Sequence, residues 1–322
     1  MIIGNTDLGP RPVLLAPLED ITDSAFRTLC RRFGADMVYT EFVSSEALVR
    51  LAEKSNKKMA FDESERPIGI QIFGNGVDAM KNAALLAMEQ NPEVIDINFG
   101  CPVRKVAMKG AGAGLLNDIP RMVAITREVV NAVNLPVTVK TRLGWDEHSK
   151  NIVDIAERLQ DVGIKAITIH GRTRAQMYSG QADWTLIGAV KNNPRMHIPV
   201  IGNGDITSPQ IAADMFNRFG VDAIMIGRAA IGNPWIFRNV KVYIHSGELP
   251  GEPTRDERIA VSLEHLRLAI QKKGETKGIV EMRKHYAGYF RGLPGFKQVR
   301  MEILSRKTYA EVAEILLNFS SH

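Results

Sequence analysis

Apolar residues follow two alternating rhythms along the first two-thirds of the chain. Short continuous runs rich in Val and Ile fall at 13–16, 36–40, 68–73, 94–98, 137–141, 166–170, 199–203 and 222–227. Their length and β-branched content predict buried strands. Between them, residues 79–89, 121–133, 152–162, 184–191 and 209–219 carry apolar side chains at helical spacing, and Phe26, Leu29, Cys30 and Phe33 mark a further amphipathic helix. Strands apolar on both faces need helices on both faces, which predicts a parallel sheet. Eight of them in alternation with helices fit a closed (β/α)₈ TIM barrel, for which ~250 residues is usual. An open doubly wound sheet fits less well, because no G-x-G-x-x-G follows the first strand.

The strand rhythm stops at Gly247-Glu248-Leu249-Pro250-Gly251-Glu252-Pro253, which reads as a linker. Helical patterns at 256–273, 279–290, 296–304 and 309–319 follow, with Gly292-Leu293-Pro294-Gly295 as a turn. The expected organisation is therefore a barrel over residues 1–247 and an all-helical domain over 248–322. At 45% hydrophobic and 24% charged residues, the chain has the composition of an ordinary globular protein and not of a disordered one. Its two cysteines, Cys30 and Cys101, exclude a disulfide scaffold, and no Cys/His cluster has zinc-site spacing. With no signal-peptide pattern and no long apolar span, a cytoplasmic protein without a membrane partner is expected, with no metal site and a monomeric state.

Charge changes the picture in the tail. The net charge is +5, and the segment from Thr254 onward holds 13 Lys/Arg against 8 Asp/Glu. The whole excess thus lies in the helical segment, which fits either a solvated helical face or the footprint of a nucleic-acid contact. The strand ends carry the chemistry. Residues just past the carboxyl ends of barrel strands share one mouth. Those ends offer Pro17, Glu41, Gln71, Asn98 with Cys101, Lys140 with Arg142, His170 with Arg172 and Arg174, Asn203 with Asp205, and Gly227 with Arg228. The turns Gly202-Asn203-Gly204-Asp205 and Gly227-Arg228 follow strands seven and eight, where barrels bind phosphate. A single phosphate beside mixed hydrogen-bonding groups points to a mononucleotide cofactor, and FMN fits. Gln71 and Asn98 can bond a ring edge, and Lys140 can stabilise negative charge. His170-Gly171-Arg172-Thr173-Arg174-Ala175-Gln176 adds a cluster suited to polyanion contact, with Trp145 and Tyr178 on neighbouring loops, placed either to stack on a base or to cap the core.

These residues match a known pattern over essentially the whole length. It includes Ala16-Pro17, Thr22-Asp23, Phe26-Arg27, Asn98-Phe99-Gly100-Cys101-Pro102, Lys140-Thr141-Arg142-Leu143-Gly144-Trp145 and the His170–Gln176 cluster. It continues through Asn203-Gly204-Asp205, Gly227-Arg228, Met282-Arg283-Lys284-His285 and Gly292-Leu293-Pro294-Gly295. The chain resembles the tRNA-dihydrouridine synthases, in particular the bacterial DusB branch. The resemblance implies FMN as cofactor, NADPH as reductant and tRNA as partner, with hydride delivered to C6 of a uridine. It makes Cys101 the general acid at C5 and places Pro17, Leu18, Glu19, Gln71, Lys140, His170, Asn203, Gly204, Asp205, Gly227 and Arg228 around FMN. Asn98, Arg142, Arg172, Arg174, Gln176, Arg283 and Lys284 are the expected substrate contacts. Where the family reads Ala-Pro-Met-x-Gly, this chain has Ala16-Pro17-Leu18-Glu19-Asp20, which adds charge and removes backbone freedom. A barrel reducing free pyrimidines, of the dihydroorotate dehydrogenase type, and a non-catalytic nucleic-acid-binding protein are the alternatives. The basic tail argues against the first, and flavin absorbance of the purified protein separates the second from both enzymes.

Overall fold

The computed structural model describes residues 1–49 and 57–320. Eight parallel strands form the barrel: β1 (Val13–Leu15), β2 (Val38–Tyr39), β3 (Ile68–Phe73), β4 (Val94–Asn98), β5 (Val137–Arg142), β6 (Ala166–His170), β7 (Val200–Asn203) and β8 (Ala223–Ile226). Continuous pairing runs from β2 through β3 to β8 and then to β1. The seam between β1 and β2 carries one bridge, Leu14 to Met37, with Leu15 N–H donating to Met37 O at 3.0 Å and Asp36 N–H to Val13 O at 2.9 Å, while Asp36 Oδ2 accepts from Val13 N–H at 2.8 Å. Strands β4, β6, β7 and β8 are buried at every residue, which is why they read as unbroken apolar runs in place of an alternation.

Helices α1 (Ser24–Arg32), α2 (Ser45–Val49), α3 (Val77–Met88), α4 (Ile119–Ala132), α5 (Ile152–Asp161), α6 (Thr185–Lys191), α7 (Pro209–Phe219) and α8 (Trp235–Ser246) connect and surround the strands. Local signals set several boundaries. In α7, Ser208 accepts from Ile211 N–H, Pro209 opens the first turn, and Gly220 ends it at φ +64°. In α1, Arg27 is buried and bonded to Glu65 at 2.6 Å, so this motif residue ties α1 to the segment before β3.

Past residues 248–253 come α9 (Arg255–Lys273), α10 (Glu275–Tyr289), α11 (Phe296–Ser305) and α12 (Tyr309–Ser320). A capping box of Thr254 and Glu257 starts α9. These helices share an apolar cluster that takes in Leu29 of α1 and Trp235 of α8. Polar ties reinforce the contact: Lys273 to Asp23 at 2.5 Å, Lys272 to Asp62 at 3.0 Å, and Arg32 to Glu264. The rings of His265 and His285 pack on Phe26 at 5.5 and 4.9 Å. Helical cover thus begins on α1, next to the barrel seam. Among the described residues, no helix is long and apolar enough to cross a membrane.

Candidate active site

Cys101 stands in the turn after β4, and a ladder of buried side chains fixes that turn. Asn98 Oδ1 accepts from the N–H groups of Gly100 and Cys101, each at 2.9 Å. Its Nδ2 donates to Gln71 Oε1 at 2.9 Å, and Gln71 Nε2 donates to Asp96 Oδ2 at 2.6 Å. Thr138 Oγ1 completes the base of the ladder by donating to Asp96 Oδ1 at 2.5 Å. The register Gln71–Asp96–Thr138 across β3, β4 and β5 puts these three side by side. Burial raises the Asp96 pKa from 3.8 to about 6. Behind the thiol, Gly112 at φ +54° admits the close return of the loop, since a Cβ there would lie 3.1 Å from Cys101 Cβ. Burial pushes the Cys101 thiol above its usual range despite Arg142 and Lys140, so it stays protonated near neutral pH.

A group of cations and the carboxylates of Glu19 and Asp205 lie beside it. Lys140, on β5, is half-buried, and desolvation together with Arg142 lowers it to about 8. Its Nζ reaches Asn203 Oδ1 at 3.3 Å. Arg142 donates to the carbonyls of Gly100, Thr173 and Met177 at 2.7, 2.9 and 2.8 Å, which joins the cysteine turn to the loop after β6. Burial, then Arg142 and Lys140, hold His170 well below its ordinary pKa, so the ring is neutral. Arg172 Nη1 lies 3.3 Å from His170 Nε2. An arginine only donates, so Nε2 is the acceptor and Nδ1 carries the proton.

Arg172 also forks onto Asp205 at 2.9 and 2.6 Å and donates to Ser179 and Gly180 carbonyls. Asp205 accepts in addition from Arg228 Nη2 at 3.1 Å. Burial opposes ionisation of Asp205, but the Arg172 hydrogen bonds outweigh it and keep its pKa below the usual range. These groups face a cavity of about 720 Å³ lined by Pro17, Leu18, Glu19, Asn98, Cys101, Lys140, Arg142, His170, Asn203, Gly204, Asp205, Gly227 and Arg228. Gly204, at φ +128°, is required there: a Cβ would come within 2.6 Å of Ala182 Cβ. The volume falls in the ~300–1,000 Å³ range of small-molecule and cofactor sites.

A family model described as dihydrouridine synthase matches residues 14–321. The chain belongs to that family. It is 41% identical over 309 residues to the tRNA-dihydrouridine synthase B of Pseudomonas putida, an alignment spanning 96% of this chain and 91% of that protein. It is 40% identical over 315 residues to the probable tRNA-dihydrouridine synthase 1 of Synechocystis sp., spanning 98% of this chain and 87% of the relative. Among solved structures, histamine dehydrogenase from Rhizobium sp. 4-9 superposes with a TM-score of 0.57 at 13% identity, over 82% of this chain and 50% of that one. An old yellow enzyme homologue from Zymomonas mobilis gives 0.51 at 14% identity, over 79% and 93%. Both likenesses are of fold.

Within this family member, not every expected residue reaches the cavity. Gln71 is fully buried, one layer below the wall, and both ends of its amide are bonded. Arg172 is a buried strut to Asp205. Arg174 stacks on Trp145 at 4.5 Å, so that indole face is covered by a guanidinium. Gln176 accepts from Thr173 N–H within its own loop. Lys284 donates to the Asp20 carbonyl, and Arg283 lies outside the cavity wall with its Nε buried and unbonded. Asp20, where the family has glycine, takes φ +59°, and its N–H donates to Glu41 at 2.6 Å. The tail reaches the cavity through Arg291, which no sequence signal separated from its basic neighbours.

Proposed function

We propose that the protein is a tRNA-dihydrouridine synthase in which residues 1–247 bind FMN and carry out the reduction while residues 248–322 bind tRNA. The donor set fits FMN: glycine-marked turns with Arg228 suit its phosphate, and Lys140, Asn203 and His170 offer polar contacts to a ring system. Bound there, FMN reduced by NADPH supplies the hydride that C6 of a uridine accepts. The chain's own residues do the rest. Cys101 holds a proton as a neutral thiol and delivers it to C5. Asn98 fixes the turn that presents the thiol, and Arg142 holds that turn against the loop after β6. Lys140, cationic below about pH 8, offsets negative charge beside the reacting ring. A uridine must leave its stack to enter the cavity.

The observation that carries this reading is a cysteine, 7% exposed, on the wall of a cavity that Lys140, Arg142 and Arg228 also line. Cys101→Ala should retain FMN and NADPH-driven flavin reduction, while dihydrouridine formation on unmodified tRNA falls by ~10²–10⁴-fold. A variant that makes dihydrouridine at the wild-type rate removes Cys101 from this role.

A further inference from the structure

A second cavity of about 460 Å³ adjoins the first, and the two share Thr207, Ile231, Asn233 and Arg291 in their walls. It lies between the barrel and the tail. The turn before α7 forms one side, the loop before α8 another, and the linker with α10 the third. Close backbone contact fixes its shape. A Cβ on Gly288 would fall 1.9 Å from Ile231 O, and one on Gly232 would fall 2.2 Å from His285 O. Two chemical features distinguish it from a packing gap. Asn239, in its wall, has a side-chain Oδ1 that is buried with no hydrogen-bond partner. Arg291 is exposed, and among the described residues its guanidinium has no hydrogen bond or ion pair. An orphan amide oxygen on a half-buried side chain at the edge of a cleft calls for an N–H donor, which the amide meets by turning toward the cleft. An unpaired guanidinium at the junction of two cavities calls for an anion.

We propose that the second cavity receives the nucleotide adjacent to the target uridine, and that Arg291 holds the phosphate linking the two. A polynucleotide with one residue in each cavity must pass its linking phosphate through the shared wall, where Arg291 stands. The neighbouring base brings ring and exocyclic N–H groups to Asn239, and Trp235 in the same wall supplies apolar surface. This assignment rests on the RNA-substrate reading above, and it makes the tail a reader of sequence context next to the reacting base as well as an electrostatic anchor.

The test uses full-length protein and unmodified tRNA transcripts carrying an abasic site immediately 5′ or 3′ of the mapped target uridine. With wild-type protein, one of the two abasic transcripts should bind about 5- to 100-fold more weakly than the intact transcript, the range of one base contact. Gln210→Trp, which fills the cavity from an exposed wall position, should bind intact and abasic transcripts alike; Leu249→Trp, on the linker side, serves if the first variant does not fold. Arg291→Gln should weaken binding of the intact transcript and lower its log–log salt slope by about 0.7–0.9. If neither abasic site weakens wild-type binding, the cavity holds solvent only and the proposal fails. Abasic sensitivity that persists in Gln210→Trp places that base elsewhere and also overturns it. Dihydrouridine formation on the intact transcript is scored in parallel: its absence in wild-type protein supplied with reductant overturns the substrate reading itself.

Discussion

Asp96 shows how one buried side chain serves a site it does not touch. Its two oxygens accept from Gln71 and Thr138, and that fixes which way the Gln71 and Asn98 amides face. The same burial leaves a mark on stability. An acid with a folded pKa of about 6 against an ordinary 3.8 keeps its proton more firmly when folded, so between about pH 4 and 6 it makes stability fall as pH rises. His265 and His285 act in the opposite sense. Burial lowers His265 to about 4 and His285 well below 6.5, so the unfolded chain binds more protons and stability rises with pH over nearly the same window. Denaturant melts should therefore show stability increasing from pH 4 to 6.5. Asp96→Asn should steepen that increase by up to about 1.4 kcal/mol per pH unit, the contribution of one proton; a slope that stays the same or becomes shallower contradicts the assignment. The sequence exposes Cys101 readily, because a proline and two glycine turns frame it. It does not expose Asp96, which reads as one polar residue inside a strand, nor Arg291, whose place depends on how the tail docks.

The loop after β6 works as a unit. Arg172 joins it to β7 through Asp205 and closes it on itself through Ser179 and Gly180, while Arg142 ties it to the cysteine turn. The arginines of this motif look like anion contacts in the sequence, yet the structure gives Arg172 to a carboxylate and Arg174 to Trp145. Spacing along a strand end cannot tell a ligand contact from a strut between neighbouring loops. Arg172→Ala leaves Asp205 and two carbonyls short of donors, and should destabilise the protein by about 3 kcal/mol as read from the denaturant midpoint. A loss below about 1 kcal/mol would remove the strut role. The strands and most helices were legible to within a few residues, because β-branched runs and helical spacing directly reflect burial. Helix α8 was not foreseen. Its apolar residues Ile236, Phe237, Val240 and Ile244 do fall on one helical face, with Arg238 and Lys241 on the exposed one, and its boundary signals are Pro234 before its first residue and Gly247 after it at φ +75°.

At the scale of the molecule, the tail is attached to the barrel by the same charges that its composition presents as RNA contacts. Lys272, Lys273 and Lys284 bond Asp62, Asp23 and the Asp20 carbonyl, while Arg258 bonds backbone carbonyls and Glu252. Net charge alone could not separate these from Lys297 and Arg300, which are exposed on α11. Replacing Lys297 and Arg300 together by Ala should raise the dissociation constant for tRNA and lower its log–log salt slope by about 1.4–1.8, with NADPH oxidation unchanged; an equal slope would assign the phosphate contacts to other residues. The barrel seam has a consequence for synthesis. Strands β1 and β2 leave the ribosome among the first residues made, but they meet through a single bridge, and the helix packed over α1 beside them is encoded at 255–273. A nascent chain stalled at residue 247 holds every barrel strand and still lacks its clasp, so the oldest part of the polypeptide waits for nearly the newest before it is secured.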